Sequence, residues 1–156
     1  MTDATIGHLG AVVTISASET TAGLPVPLTS FPKDTDPFDI PEVTIAESEM
    51  GTNGDFISWE VANPVNITLS VVANTADHVL LQTMFNRNRP EKGKRPVGDK
   101  IVLVRVLPDG STITLSSGRM MAGTVALSMT SSGKLSTPTY TFSFGKLVPT
   151  PPNILT

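Results

Sequence analysis

The segment Lys100–Leu107 limits more than any other what this chain can fold into. It reads Lys-Ile-Val-Leu-Val-Arg-Val-Leu, so both alternating sets of side chains are apolar except for Arg105. Such a pattern predicts a strand that is covered on both faces. One cover is the hydrophobic core, and the other must be the helix predicted below or a neighbouring subunit. The Pro-Asp-Gly sequence at 108–110 predicts a tight turn into a second strand over 112–117.

Regular alternation of apolar and polar side chains predicts a half-buried strand over Val65–Val71, directly after Pro64. Apolar and β-branched runs bounded by turn residues predict the remaining strands. These are 8–18, 42–47, 56–61, 120–130 and 139–144. A turn sequence at 51–54 separates the strands at 42–47 and 56–61, and another at 132–133 joins the last two strands into a second hairpin.

One helix is predicted between the strands at 65–71 and 100–107. Asn74 or Thr75 can cap its first free backbone N–H groups, and Pro90 ends it. Side chains that recur at helical spacing predict one stripe packed on a sheet. The stripe consists of Val79, Leu80, Thr83 and Met84.

The 156 residues have the size of one domain. We predict a mostly β (α+β) fold, an antiparallel β-sandwich or barrel of about seven or eight strands with one packed α-helix. Two segments depart from this pattern, an irregular Pro-rich loop at about 20–41 and a short C-terminal tail from about 147. The loop is either a docking arm or a simple flexible excursion.

Charged residues make up 16% of the chain, against roughly 25% in a typical soluble domain. Because a monomer in water usually covers itself with charged side chains, this deficit indicates that other protein covers much of the surface. An extracellular β domain with a Ser/Thr-rich surface is the alternative. The net charge of -3 gives no overall attraction to nucleic acid or to an anionic membrane.

Several classes of chemistry lack the residues that they need. The chain has no cysteine, which excludes disulfides and thiolate chemistry.

The segment 1–5 lacks the features of a signal peptide, and no stretch is long enough to span a bilayer. We therefore expect synthesis in a cytoplasm and no membrane partner.

No catalytic site is expected. Glu47 and Glu49 have the same strand parity and could act as paired carboxylates, but nothing else supports acid-base chemistry. A Gly-x-Ser-x-Gly sequence around a nucleophilic serine is absent. His78 lies within the predicted helix and His8 begins a strand, so each is expected to be a surface or edge residue. We therefore predict no enzyme, no cofactor and no metal.

A basic cluster follows the predicted helix and interrupts this otherwise sparsely charged chain. Its members are Arg87, Arg89, Lys92, Lys94 and Arg95. Such a cluster is a solvated helix end, a contact with an acidic face of another subunit, or a phosphate-binding patch. No aromatic side chains are interleaved for base stacking. The cluster is therefore a candidate subunit contact.

Three segments carry a resemblance to a known family. They are Asn66–Asp77, which leads into the helix, the turn at 108–110, and the closing Tyr140–Gly145. Over roughly the second two thirds of its length, the chain resembles the tail tube proteins of bacteriophages with contractile tails. The resemblance implies a structural subunit that oligomerises into hexameric rings, which stack into a hollow conduit for DNA. Neighbouring sheets in such a ring join into a continuous inner β-barrel.

The resemblance also implies partners and a location. The partners are other copies of the chain, the tail sheath, the baseplate and the tape-measure protein, with DNA only as a transient non-specific cargo. The location is the tail of a virion that is made in the host cytoplasm. A lumen wall must not retain DNA, so it should be polar or acidic. The candidate lumen-facing residues are Ser128, Thr130, Thr139, Thr141 and Ser143.

Two alternatives stay open at this point. A baseplate or tube-initiator ring protein would share the fold but form one ring and stop. A monomeric β-sandwich module that binds a small ligand or a carbohydrate would be a protein of another class.

Overall fold

The computed structural model describes residues 11–32 and 36–150. Within them the chain forms nine β-strands and one α-helix, so the predicted mostly β fold with one helix is confirmed. The elements are β1 (Val12–Ala17), β2 (Val26–Leu28), β3 (Phe38–Asp39), β4 (Ala46–Met50), β5 (Phe56–Glu60), β6 (Val65–Ser70), α1 (Ala76–Asn88), β7 (Ile101–Val106), β8 (Thr112–Gly123) and β9 (Thr139–Thr150). The beginning of the predicted strand at 8–18, which includes His8, lies outside the described residues.

Seven strands form one antiparallel sheet in the order β2-β1-β7-β8-β9-β6-β3. The outermost strands, β2 and β3, come from the Pro-rich segment 20–41 and are three and two residues long. Pro27 lies in β2, where an edge strand tolerates the missing N–H group. Such short edges offer little backbone for pairing with another sheet. Strands β4 and β5 form a separate two-stranded sheet.

The seven-stranded sheet curls into a half-barrel. Strands β7 and β3 are four positions apart in the sheet order, which in a flat sheet would separate them by about 19 Å. Yet the guanidinium carbon of Arg105 in β7 lies 5.2 Å from the centroid of the Phe38 ring in β3. The side chains can meet only because the sheet curves around its core. Burial lowers the pKa of Arg105, and the charge of Asp109 opposes this shift.

The hydrophobic core fills the concave side of the sheet. Alternate residues of β1 and β9 are buried, which is the period expected of strands with one face on a core. Each large apolar side chain that is fully buried contributes about 1.5–3 kcal/mol relative to an exposed one. The core consists of Val13, Ile15, Ala17, Leu28, Ile67, Leu69, Val71, Leu81, Met84, Ile101, Leu103, Leu115, Tyr140, Phe142 and Phe144.

A glycine in β8 makes room for one of the three aromatic side chains of the core. Gly118 faces Phe144 across the β8–β9 ladder, and a Cβ at this position would lie 2.2 Å from a carbon of the Phe144 ring. The ring in turn stacks on Phe142, with 6.2 Å between centroids. Only a residue without a side chain fits between β8 and this aromatic pair.

The helix begins at the predicted cap. The Thr75 hydroxyl accepts a hydrogen bond from the His78 N–H at 3.3 Å and donates one to the carbonyl of Val72 at 2.8 Å. The chain leaves the helix at Arg89, directly before Pro90. Both ends therefore follow from local sequence signals.

The buried side of α1 differs from the predicted stripe. Asp77, Leu81 and Met84 are buried, whereas Val79 is 61% exposed. The reason is a polar anchor, since the Asp77 carboxylate accepts hydrogen bonds from the backbone N–H groups of Thr29 and Ser30, both at 2.7 Å. This anchor turns the Asp77 side of the helix inward and ties it to the segment after β2.

A second buried carboxylate, Asp99, joins the other end of the helix to β1 and β7. It accepts hydrogen bonds from the N–H groups of Glu19 at 2.8 Å and Thr20 at 3.0 Å, and also from the Thr20 hydroxyl. The Asn88 side chain donates to Asp99 at 2.8 Å and accepts from its N–H at 2.8 Å. Burial raises the pKa of Asp99, but these hydrogen bonds outweigh it and leave the pKa below its ordinary value.

Strand β7 was predicted to be covered on both faces. Within the protomer only one of its faces is covered. Ile101 and Leu103 are fully buried, whereas Val102 and Val106 on the other face are 36% and 38% exposed. The helix cannot be the second cover, because its buried Leu81 and Met84 belong to the same core as Ile101 and Leu103.

The predicted break between strands 112–117 and 120–130 is wrong. Strand β8 runs without a break from Thr112 to Gly123 and pairs along its length with β9. The Ser116-Ser117-Gly118 sequence forms an irregularity within the strand, in which Ser117 has a φ of 56°. Such a bulge bends a strand while the ladder continues on both sides of it. Strand β9 extends to Thr150, and the strand predicted at 42–47 is observed as β4 at Ala46–Met50.

Candidate assembly surfaces

Strands β4 and β5, with the turn between them, form a projecting hairpin over 46–60 that we call the arm. Its turn is closed by hydrogen bonds from the N–H of Gly51 to the carbonyl of Asp55 at 2.7 Å, and from the N–H of Gly54 to the carbonyl of Gly51 at 2.9 Å. All ten strand residues of the arm are exposed. The arm therefore receives little support from the core of its own protomer.

The two faces of the arm differ in chemistry. Glu47 pairs with Trp59 and Glu49 with Ile57, so these four side chains lie on one face. Met50 pairs with Phe56 on the opposite face, next to the turn. Met50 is 65% exposed and Phe56 is 69% exposed. A two-stranded hairpin alone is marginally stable in water, and exposed apolar clusters of this kind mark interaction sites.

The convex face of the large sheet carries a polar band. Thr139, Thr141 and Ser143 in β9 alternate with the buried aromatic residues of that strand and therefore point away from the core. Their partners in β6 extend the band, with Thr68 opposite Thr141 and Asn66 opposite Ser143. Three of the five candidate lumen residues thus share one polar surface, which Arg119 of β8 borders opposite Ser143.

The other two candidate lumen residues do not belong to this polar band. Ser128 and Thr130 are exposed residues of the connection between β8 and β9, outside the seven-stranded sheet. The Thr130 hydroxyl bonds within this connection, to the carbonyl of Lys134 at 2.6 Å. The strand predicted over 120–130 ends at Gly123, and local turns of the connection take the place of its second half.

The predicted basic cluster lies at the end of α1 and in the connection to β7. Arg87 is partly buried and donates to the carbonyl of Glu19 at 3.5 Å, while the other four members are exposed. Arg89 pairs with Glu91 at 3.3 Å, and Lys94 donates to the carbonyl of Asn86. The cluster is therefore solvated within the protomer and available to a partner.

A groove beside this cluster was not predicted from the sequence. Two adjoining cavities of about 280 Å³ and about 330 Å³ share Pro90, Met120 and Met121 in their walls. Arg89 lines the first cavity and Arg119 lines the second. We call this feature the Arg89–Arg119 groove. Arg119 belongs to β8, far in sequence from the cluster, and comes near it because this part of β8 lies beside the end of α1.

The groove runs beside an incompletely paired stretch of β8. The first residue of β7, Ile101, pairs with Gly118. Beyond that point β8 continues to Gly123 and pairs with β9 on its other side. In the part of the chain that the structure describes, residues 119–123 therefore have no strand neighbour on the β7 side.

The charges of the chain are divided along its length. Nine acidic residues and no Lys or Arg lie between Lys33 and Arg87. From Arg87 to Lys146 the chain holds ten basic residues and three acidic ones. The arm lies in the acidic part and the Arg89–Arg119 groove in the basic part, so the two surfaces have opposite charge.

The described residues offer little support for a metal site or a membrane span. No group of His, Asp or Glu side chains in residues 11–32 and 36–150 could hold a metal ion. No helix in the same residues is long and apolar enough to cross a membrane. His78 accepts a hydrogen bond from the N–H of Asn74 at 3.1 Å, so it contributes to the start of the helix.

Three solved structures share this fold. The sheath/tube terminator of the extracellular contractile injection system PVC, in its extended state, is 13% identical, with a TM-score of 0.58 over 96% of this chain and 99% of that one. The anti-feeding prophage cap, a tube terminating cap, is 14% identical, with a TM-score of 0.54 over 96% of this chain and 93% of that one. The PVC sheath-tube complex in the extended state is 13% identical, with a TM-score of 0.50 over 88% and 87% of the two chains.

Sequence comparison is more specific than these fold likenesses. No curated protein matches the chain. A family model described as tail fiber protein gp32 matches residues 4–148, which is nearly the whole chain. The surfaces described above therefore belong to a component of a tail, and the chain is a member of the tail fiber protein gp32 family.

Proposed function

We propose that this protein is a ring-forming structural subunit of a tail tube, which acts by assembling with copies of itself and catalyses no reaction. The observation that carries the proposal is the arm, whose ten strand residues are all exposed. An exposed hairpin with Phe56, Met50 and Trp59 on its surface gains its stability from contacts outside the protomer. A neighbouring copy supplies these contacts in every ring.

The convex face of the sheet supports a role as the wall of a conduit. Thr139, Thr141 and Ser143, with Asn66 and Thr68 beside them, provide hydroxyl and amide groups and no positive charge. These five residues offer a passing duplex no cation to hold its phosphates, and Arg119, opposite Ser143 in β8, lies at their border. In this proposal these residues face the lumen, whereas Ser128 and Thr130 lie off the wall.

The wider assembly is part of the same proposal. Six copies form a ring, rings stack into a tube, and DNA passes through it as a non-specific cargo. A sheath surrounds the tube in the extended state, and baseplate and tape-measure proteins meet its ends or its lumen. The likeness to a chain of the PVC sheath-tube complex supports the association with a sheath.

A tube terminator is the second candidate function. Its support is the fold likeness to the PVC terminator and the anti-feeding prophage cap, which have TM-scores of 0.58 and 0.54, compared with 0.50 for the sheath-tube complex. A terminator forms one ring that closes the tube, and its polar face still surrounds the axis.

Purified full-length protein tests the proposal directly. Negative-stain electron microscopy and mass photometry over a range of concentrations should show rings, and a tube subunit should extend them into tubes. Rings that never stack, but bind to the ends of preformed tubes, identify the terminator. A monomer that persists at every concentration contradicts both candidates and favours a ligand-binding module.

A further inference from the structure

We infer that the arm of one copy docks into the Arg89–Arg119 groove of a second copy, with Glu47 and Glu49 against the two arginines and Trp59 against Met121. The inference rests on the proposed self-assembly and names the surfaces that carry it.

The first reason is charge complementarity. Glu47 and Glu49 lie on one face of the arm, and neither forms a salt bridge within the described protomer. At the groove, Arg119 is exposed and the Arg89 side chain is 45% exposed despite its pair with Glu91. Opposite charges that find no full partner within one copy can pair between copies, and such pairs fix the register of a contact.

The second reason is apolar complementarity on the same two surfaces. Ile57 and Trp59 lie directly opposite the arm glutamates across the ladder and are 45% and 43% exposed. The groove offers Met121, which is 66% exposed, together with Pro90 and Met120. Methionine adapts its shape to a partner and packs well against aromatic rings. Tryptophan is among the residues that most often anchor a protein interface when they fill a desolvated pocket.

The third reason is the backbone beside the groove. Residues 119–123 of β8 have no strand neighbour on the β7 side in the described part of the chain. The arm consists of β4 and β5, and each of them has one edge that pairs with no other strand in the described part of the chain. An extended segment can add to an open edge of this kind through main-chain hydrogen bonds. A strand with acidic and aromatic side chains therefore fits the groove better than a helix or a loop.

The resulting contact is heterologous, because the arm and the groove are different surfaces. Each copy uses its arm on one neighbour and its groove on another. Such head-to-tail contacts close into a ring when the rotation permits and otherwise extend into a filament. This is the type of contact that the proposed ring requires.

Charge reversal tests the pairing. Glu47→Arg/Glu49→Arg reverses the arm, and Arg89→Glu/Arg119→Glu reverses the groove. Each double variant should raise the dissociation constant of self-association by at least about tenfold in sedimentation velocity, because like charges then meet. Equal amounts of the two variants, when mixed, should regain assembly with alternating copies, and a chain that carries all four substitutions should assemble alone.

Matched controls distinguish the loss of this contact from a change in the charge of the arm or a loss of folding. Glu60→Arg changes a charge of the same arm but on the opposite face, since Glu60 pairs with Ala46. It should leave assembly unchanged. Circular dichroism and melting temperature should show that each variant is folded, which matters for Arg89→Glu because Glu91 lies beside it.

The results distinguish the inference from the proposed function. If wild-type protein forms rings but the arm and groove variants assemble as well as it does, or their mixture does not recover, the docking inference is wrong and self-assembly stands. If wild-type protein remains a monomer at every concentration, both are wrong.

Discussion

The guanidinium group of Arg105 lies over the ring of Phe38, with 5.2 Å between its carbon and the ring centroid, and this contact joins β7 to the far edge strand of the sheet. Phe38 belongs to a strand of two residues that pairs only with Leu69 and Thr68 of β6. The contact therefore holds a short edge in place and maintains the curl of the half-barrel.

Removal of the Phe38 ring should weaken the contact between β7 and β3 and so destabilise the half-barrel. We expect Phe38→Leu to lower the free energy of unfolding by about 0.5–2 kcal/mol, because an apolar side chain remains but the attraction to the cation is lost. Urea denaturation measures the change. In the double variant with Arg105→Met, the loss should be smaller than the sum of the two single losses. Losses that add within about 0.3 kcal/mol would show that the two side chains do not interact.

Asp99→Asn should destabilise the protein in a pH-dependent way. The asparagine places an NH₂ group opposite the donors around this site, so the free energy of unfolding at pH 7 should fall by about 1–3 kcal/mol. The pKa of Asp99 is lowered in the folded state, so its stabilisation is present above about pH 4 and is lost as the pH falls through the folded pKa. The difference between wild type and variant should therefore shrink in acid.

Urea titrations at pH 7, pH 5 and pH 3 measure this difference. Glu60→Gln, an exposed substitution on the arm, is the control and should follow the wild-type pH profile. A gap between wild type and Asp99→Asn that is equally large at all three pH values would show that the ionised carboxylate is not the source of the stabilisation.

Two glycines in facing strands provide a matched test of packing. A Cβ at Gly118 would lie 2.2 Å from the Phe144 ring, whereas a Cβ at Gly145 would meet nothing closer than Ser117 at 3.6 Å. Gly118→Ala should lower the free energy of unfolding by about 1–3 kcal/mol through overpacking. Gly145→Ala should have little effect. Equal melting temperatures of the two variants would contradict the packing described here.

Lysine on the polar band should slow the passage of DNA. Thr141→Lys and Ser143→Lys place cations on the proposed lumen wall, where each contact with a phosphate retains the duplex. We expect normal tubes in negative stain and reduced genome ejection from particles that carry these variants. Ser128→Lys, on the exposed connection away from the sheet, is the control. Unchanged ejection by Thr141→Lys and Ser143→Lys would contradict the assignment of this face to the lumen.

The elements that follow local rules were predictable. Thr75 caps α1 and Pro90 follows its end, because capping and the loss of an N–H group act within one turn. The alternation over 65–71 predicted β6, which spans Val65–Ser70. Each of these features depends on residues that are close in sequence.

The features that differ from the sequence-based predictions depend on contacts between residues that are far apart in the chain. The inward side of α1 is set by the contact of Asp77 with Thr29 and Ser30, more than forty residues away. The continuity of β8 through Ser117 depends on its ladder with β9, which periodicity in one strand cannot reveal. Strand β3 has two residues and exists only because β6 offers it an edge.

The candidate site was predictable in part. Local sequence identified the basic cluster and the shared parity of Glu47 and Glu49. It did not indicate that the arm stands free of the core, since Trp59 and Phe56 resemble core residues in composition. No sequence pattern indicated that Arg119 lies at this site, because its closeness to Pro90 depends on how β8 lies beside the end of the helix.

The free edges of the arm also bear on how the protein avoids aggregation before it assembles. An exposed edge with aromatic and apolar side chains is the kind of segment that pairs indiscriminately with other chains. Glu47 and Glu49 place negative charge on alternate residues of β4, so two arms that meet edge to edge repel each other. The same carboxylates that are suited to a basic groove therefore also disfavour pairing of one arm with another.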